Sequence, residues 1–381
     1  MRTRPLRTSI LAGLAGFAAG AGVAHADPII AAQTTVAGIF DSYNVISFGD
    51  FGSSTQAYGD ADSQGPMAIG GNAYINAFNV SPAVPNAPYG IVTGGNLSFA
   101  NAAAYNSSGA QWAASYSGAN INGNAFVGGS AILGPDQSLT TNCGTGFALS
   151  CAGGWSIEGN LTVNGTLTAR DGAATGMVTA NAGATSPINF ANLQTTLEAA
   201  STALNVLPTG TVSGGNHAPL VLTGTSQFVN VFTVTAAQLA LMSSLDVDIP
   251  AGSLAVVNVD DSAVSIAAVG FDCNDGPCTV AEAEAILFNM PNATALTLNE
   301  IGLAGSVLAP FANVTATNGN IEGSIAANAI VSAADYGTQG GFEYEWQPLD
   351  PIAEPGSLLI LAGGLLSLAF WRRLRRRPVL A

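Results

Sequence analysis

Few residues in this chain have side chains suited to chemistry. Between positions 27 and 350 there is one histidine, His217, in the turn Gly214-Gly-Asn-His-Ala-Pro219. A serine or cysteine nucleophile needs a base held beside it, and a single turn histidine supplies none in the local sequence. No G-x-S-x-G or H-E-x-x-H run occurs, so nucleophile-elbow and zincin chemistry have no motif. Carboxylates are more plentiful. Asp246 and Asp248 fall on one strand face, and Asp260 and Asp261 end another strand. A glycosidase needs two carboxyl groups roughly 5 to 10 Å apart, so stacked coils bearing such pairs leave a polysaccharide-degrading hydrolase as the alternative reading. Asp272-Cys-Asn-Asp-Gly276 and Gly59-Asp-Ala-Asp62 offer short Asx clusters. Neither has an EF-hand spacing, and Asx residues ordinarily satisfy turn backbone groups. The expectation is a non-enzyme with no cofactor and no metal.

Other side chains suit contact better than catalysis. Thr166/Thr168 and Thr315/Thr317 could each add two hydroxyls to a flat ladder of the kind ice-binding solenoids carry, but two pairs so far apart are too few. Tyr74, Tyr89, Tyr105, Trp112 and Tyr116 could stack on sugar rings or fill corners. Four cysteines, Cys143, Cys151, Cys273 and Cys278, allow three pairings. The local pairing, Cys143–Cys151 with Cys273–Cys278, closes two short loops and is the expected one.

Charge narrows the partners. The chain of 381 residues has 46 Gly, only 9% charged residues and no lysine. Three of its nine arginines, Arg2, Arg4 and Arg7, lie at the N-terminus, and five, Arg372, Arg373, Arg375, Arg376 and Arg377, at the C-terminus. Between residues 27 and 350 stand 23 acids against Arg170 alone, a net charge of −22. Such a surface repels phosphate backbones, which excludes nucleic acid. Neutral sugars, cations and other proteins remain.

Both ends read as addresses. Residues 1–26 have a basic start, an apolar stretch over 10–21 and an Ala24-His25-Ala26 cleavage site, the layout of a secretory signal peptide with a signal helix. The C-terminal segment, 351–381, runs from Glu354-Pro355-Gly356 through an almost wholly apolar 357–370 to Trp371 and the arginine cluster. The arginines would stay cytoplasmic and leave the body outside, with the apolar run as a transmembrane helix somewhat shorter than the usual span. This three-part layout resembles the PEP-CTERM sorting signal of Gram-negative bacteria, with Ala353-Glu354-Pro355 in place of the commoner Pro-Glu-Pro. The resemblance implies a cut near the motif by an exosortase-type processing enzyme. Export also places the cysteines in an oxidising space.

The elements that must position these residues are short. Apolar-alternating runs are separated by Gly-Gly-Asn or related corners at 70–72, 94–96, 128–130 and 159–160. Repetition at roughly 24 to 34 residues suggests a solenoid, with strands of four to six residues and corners at Gly and Asn. A parallel β-helix-like solenoid also explains the composition, and an antiparallel sandwich is the competing arrangement. Residues 27–43 are expected to cap one end. Ser186-Pro187 opens the one packed α-helix, over about 187–206, with Phe190, Leu193, Leu197, Ala200 and Leu204 on one side. A shorter helix is expected over 236–242. Strands then resume from 220 to 326, so 27–350 reads as one mainly β domain.

That domain resembles the choice-of-anchor A family, an adhesive domain of bacterial surface proteins. The resemblance rests on Tyr43-Asn-Val-Ile-Ser-Phe-Gly-Asp-Phe51, Gly65-Pro-Met-Ala-Ile-Gly-Gly-Asn72 and Gly94-Gly-Asn-Leu97. It continues in Phe288-Asn-Met-Pro-Asn-Ala-Thr-Ala-Leu296, Gly305-Ser-Val-Leu-Ala-Pro310 and Asn320-Ile-Glu-Gly-Ser-Ile325, and spans about 40–346. The insert at 140–154, which holds the first cysteine pair, departs from it. The resemblance implies an exported adhesin of the cell surface or matrix, binding exopolysaccharide or neighbouring surfaces and transiently anchored in the membrane. It carries no catalytic residues.

Overall fold

The computed structural model describes residues 28–54, 57–80, 88–99, 119–133, 155–169, 173–267, 270–274, 276–332 and 341–352. The signal cleavage residues Ala24 and Ala26, the pair Cys143 and Cys151, Arg170, and the whole segment from Ala353, with Glu354, Pro355, Gly356 and the arginine cluster, lie outside them. Among the described residues no helix is long and apolar enough to cross a membrane.

The chain is mainly β, and its strands pair in parallel into three ladders that wind as a solenoid-like coil. The antiparallel sandwich is therefore set aside. The second ladder shows the register most fully. Val178, Leu161, Ala125, Ile91, Met67 and Val45 stack in that order. Ile325, Val307, Phe288, Val257 and Phe232 continue the same inward column. From Val178 to Phe232 are ten spacings of about 4.8 Å, a stack about 48 Å long.

This order is not the order of the chain. The first strand, Val45–Ser47, lies mid-stack between Met67–Ile69 and the late strand Ile325–Ser332. The chain winds outward from the middle to one end at Val178–Thr179. It then returns outside the coil and re-enters at the far end near Val229–Thr233, winding back until its last coils meet its first. An inner aromatic cluster fills the seam. Phe51 and Tyr58 from the first coil stack at 4.4 Å, and Phe78, Phe342 and Tyr344 close around them. The Tyr58 and Tyr344 hydroxyls are fully buried and bond each other at 2.8 Å. Burial raises both phenol pKa values above the ordinary tyrosine range.

The return is made by helix α2 (Phe190–Leu204), which follows helix α1 (Pro28–Phe40) in the chain. α2 starts beside Gly70, whose Cβ position lies 3.3 Å from the Phe190 ring. It ends where Asn258 Nδ2 donates to the Leu204 carbonyl at 3.0 Å. Those coils are five spacings apart, about 24 Å, and fifteen helical residues rise about 21 Å. The helix therefore runs along the stack. It begins at Phe190 rather than Pro187, because Asn189 is the cap and its side chain accepts the Asn192 N–H at 3.1 Å. Ser186 instead closes a local turn, its Oγ accepting the Ile188 N–H. Ile188, just before the cap, is buried with partly buried Leu193 in one apolar cluster, the positions of a hydrophobic staple.

α1 lies on the same flank rather than capping an end as expected. Val36, Ala37 and Phe40 pack with Ile46, Ala68 and Val92 from the outer side of the second ladder. Gln33 clamps the last described residues, donating to the Asp350 carbonyl and accepting the Ile352 N–H. α3 (Ala236–Leu241) forms as expected, closed by a Thr235/Gln238 capping box, and α4 (Val280–Ala283) is one turn. Cys273 and Cys278 are joined by a disulfide around the tight hairpin of Cys273 and Gly276.

The Gly-Gly corners explain themselves in the stack. A Cβ on Gly94 would overlap the carbonyl oxygen of Gly70, and one on Gly128 that of Gly94. A parallel column, Gly71, Gly95, Gly129 and Gly165, is just as tight, backbone over backbone. The polar residue after each pair closes the corner. The N–H groups of Asn72, Asn96 and Ser130 bond the side-chain oxygens of Asp50, Asn72 and Asn96 at 2.7 to 2.9 Å, and Thr166 continues on Ser130.

Overpacking of this kind costs about 2 to 3 kcal/mol. Gly94→Ala should lower stability by that amount in urea denaturation. Gly38→Ala, in helix α1 with open space around it, should be neutral or slightly stabilising.

Candidate functional site

The three flanks of the coil differ in chemistry. The outer side of the second ladder is covered by α1 and α2, held by a buried polar clip. Ser201 Oγ donates to Asn289 Oδ1 at 2.6 Å, and Asn289 Nδ2 donates to Asn258 Oδ1 and to the Ser201 carbonyl. Asn289 is the asparagine of the Phe288-Asn-Met-Pro run. Its part as the coil's grip on the helix was invisible in sequence, because Ser201 reads there as an unremarkable helix residue.

The third ladder faces outward with acids. Asp62 pairs in register with Asn79 and precedes Ser63, which pairs with Tyr344. Glu343 and Glu345 flank Tyr344, and Glu345 pairs with Glu322. Burial, then repulsion from Glu343 and Glu345, raises the Asp62 pKa; burial, then Glu345, raises that of Glu322. Further along this flank, Asp246 pairs in register with Asp272.

The first ladder faces outward with uncharged groups. Its inner column is Leu167, Ala131, Leu97, Ala73, Phe51, Ile330, Val314, Leu296 and Val264. One residue further along each strand, Thr168, Ile132, Ser98, Tyr74, Gly52, Val331, Thr315, Thr297 and Ser265 form a straight outer column about 38 Å long. One residue before the inner column stand Thr166, Ser130, Asn96, Asn72, Asp50, Ala329, Asn313, Ala295 and Ala263. Among these described residues Asp50 is the one acid, and it is engaged by the Asn72 N–H and side-chain amide. Thr297, Ser265, Thr168 and Ile132 are exposed, and Thr315 and Tyr74 half-buried. Thr166, Thr168 and Thr315 of the two threonine pairs sit in these columns, and Thr317, which is buried, lies two positions beyond Thr315. Thr315 stacks on Thr297 and Ser265, and Thr317 donates to Asn299 Oδ1. Thr166 and Thr168 stack over Ser130 and Ile132. Pairs far apart in sequence therefore join one face, through neighbours that carry no Thr-x-Thr pattern.

The remaining candidates are scattered. His217 sits in a left-handed turn, φ 68°, its N–H bonded to the Leu241 carbonyl. Asp260 accepts from the amides of Asn205 and Asn292, and Asp261 accepts the Ala236 N–H at the start of α3. Asp246 and Asp248 share one side of their strand, as the alternation predicts. Tyr89 packs on the helical flank. Tyr105, Trp112 and Tyr116 lie outside the described residues. Among the described residues no three His, Cys, Asp or Glu side chains converge for a metal.

Two predictions follow from these contacts. Asn289→Ala leaves Ser201 and Asn258 without their buried partner and should cost about 2 kcal/mol by denaturant unfolding. On the acidic flank, the folded-state pKa values of Asp62 and Glu322 lie above their unfolded values. Their favourable contribution is therefore present at low pH and lost as pH rises through the folded pKa. Glu345→Gln should raise the unfolding midpoint at pH 7 by roughly one or two degrees. It should have little effect at pH 4, and Glu158→Gln, an exposed control, should show no such difference.

One family model matches the chain over residues 36–340, four-fifths of its length, and that span contains every described ladder strand except Phe342–Glu345. No curated protein and no solved structure is significantly similar to it. The matched family is described as "Putative Ice-binding-like adhesive domain", and the chain belongs to that family.

Proposed function

We propose that this protein is an exported adhesin that holds neutral polysaccharide, or the sugar-coated surface of a neighbouring cell, on the outer face of its first ladder. The observation that carries the reading is the contrast between flanks. One is covered by helices, one is lined with carboxylates, and one presents hydroxyl, amide, alanine and tyrosine groups in straight columns. A neutral polymer gains from hydroxyl and amide contacts and from stacking on Tyr74, and the one charge in these columns, Asp50, is already held by Asn72. The rigidity of a stacked coil keeps those groups in place without an ordering cost on binding.

Within this reading the family is of the choice-of-anchor A kind. The signal peptide delivers the body outside. The segment 351–381 acts as a PEP-CTERM signal, inserted in the membrane through 357–370 and processed by an exosortase-type enzyme, and the body ends at the cell envelope or in the matrix. The protein binds and does not turn over its ligand.

The test is retention of the secreted protein on immobilised neutral exopolysaccharide from cells that produce it. Thr297→Glu combined with Thr315→Glu should weaken retention at least tenfold, and Glu343→Gln should leave it unchanged. Unaltered retention in the double variant would sink the face assignment. Reducing ends released during incubation, and lost in Asp246→Asn, would replace the adhesin with the hydrolase.

A further inference from the structure

The two ends of the stack are finished differently. At the end reached by the strand Val229–Thr233, Thr209 and Gly210 donate their N–H groups to the Val231 carbonyl, and Thr209 Oγ1 accepts the Val231 N–H. Beside it, Thr211–Gly214 pairs antiparallel with Leu220–Thr223 and forms the edge of that ladder. Helix α3 packs against the terminal strand of the remaining ladder, Ala263–Ala267. A strand arriving from outside finds Val229–Thr233 already bonded and Ala263–Ala267 under the helix, with the antiparallel edge strand Thr211–Gly214 left.

Among the described residues the opposite end is open. Leu167–Ala169, Ala173–Ala174 and Val178–Thr179 each pair on one side only among the described residues, with Ala131–Leu133, Ser156–Glu158 and Leu161–Val163. The inward Leu167 and Ala174 are only partly buried against the core, and Met177 and Val178 are 70% and 47% exposed. Unpaired strand edges over an uncovered apolar end form a template for another edge. The described residues of this coil, 166–169 and 173–183, include no charged side chain, in a body of net charge −22.

We infer that this open end is a self-association surface, and that its partner is the same end of a second copy of this chain. Two copies related by a twofold axis across the stack bring three open edges against three open edges, with strands antiparallel across the join. Such an interface is self-complementary. Copies of so acidic a protein repel each other over most of their surface, and the described residues here bring no charge to the join. The far end offers no set of three open parallel edges to match, so assembly stops at a dimer instead of growing into a filament. The joined rods present two adhesive faces.

Sedimentation velocity of the full chain over a concentration series tests this. The mass should double with rising concentration. Met177→Lys combined with Val178→Lys should weaken the dimer at least tenfold, with an unchanged circular dichroism spectrum. Leu207→Lys, 86% exposed beyond the end of α2, should leave it as tight as before. If the double variant does not fold, Ala173→Lys, at an exposed position of the same coil, should give the same loss. A dimer that survives the open-end substitutions, or is broken by Leu207→Lys, overturns the proposal. A monomer at every concentration also overturns it, and a lowered melting point of the lysine variant in that monomer would show that the chain's own residues cover the end.

Discussion

The fold depends on how closely one coil's backbone lies on the next at its corners. Where Gly94 sits on Gly70, and Gly128 on Gly94, the space that any Cβ would take is occupied by a carbonyl oxygen. Glycine is required there by contact rather than by a left-handed φ. The corner brings its own polar demand, because backbone N–H groups turned out of the ladders must still be satisfied. The Asn72, Asn96 and Ser130 side chains meet it, each serving the coil above. Glycine abundance, asparagine after glycine, and low charge are thus consequences of one packing distance.

A coil built this way could wind simply from one end to the other. This one does not, and the buried polar groups show what the detour requires. A chain that starts mid-stack must cross the outside of its own coil, which makes α2 necessary. A helix on a smooth apolar flank could slide along it. The Ser201, Asn289 and Asn258 clip fixes its position, since both amides lose their bonds to the helix if it moves by a turn. At the seam the first and last coils cannot rely on chain continuity. Large aromatic side chains with one shared hydroxyl bond replace it.

Much of this was legible from residue types, and the limits were physical. The strands at 220–223 and 229–233, the helix at 236–241 and the apolar side of α2 follow from local periodicity and capping. The start of α2 was misplaced because Ser186-Pro187 and Asn189 both offer caps, and the choice between them is made by burial of Ile188, a tertiary fact. The meeting of Val45 with Ile325 could not be read, because no local signal marks which coil neighbours which. The same gap hid the uncharged face of the first ladder. Thr315 and Thr168 look isolated in the chain and become members of one column only when the winding order is known.

The distribution of charge ties the fold to the proposed role. Parallel stacking repeats each outward position about every 4.8 Å, so a residue type chosen once per coil becomes a stripe. Acids in such a stripe repel their neighbours, and this adds to burial, the larger cause, in raising the pKa values of Asp62 and Glu322. The net charge that keeps the body soluble is therefore a cost to the coil wherever it is placed. Confining much of it to one flank spares the first ladder, where the repeating groups are hydroxyls and amides that can bond one another or a neutral ligand equally well. Replacing Glu345 by glutamine would ease the fold without touching the opposite face. Stability and the proposed adhesion thus fall to different stripes of one coil and can vary independently.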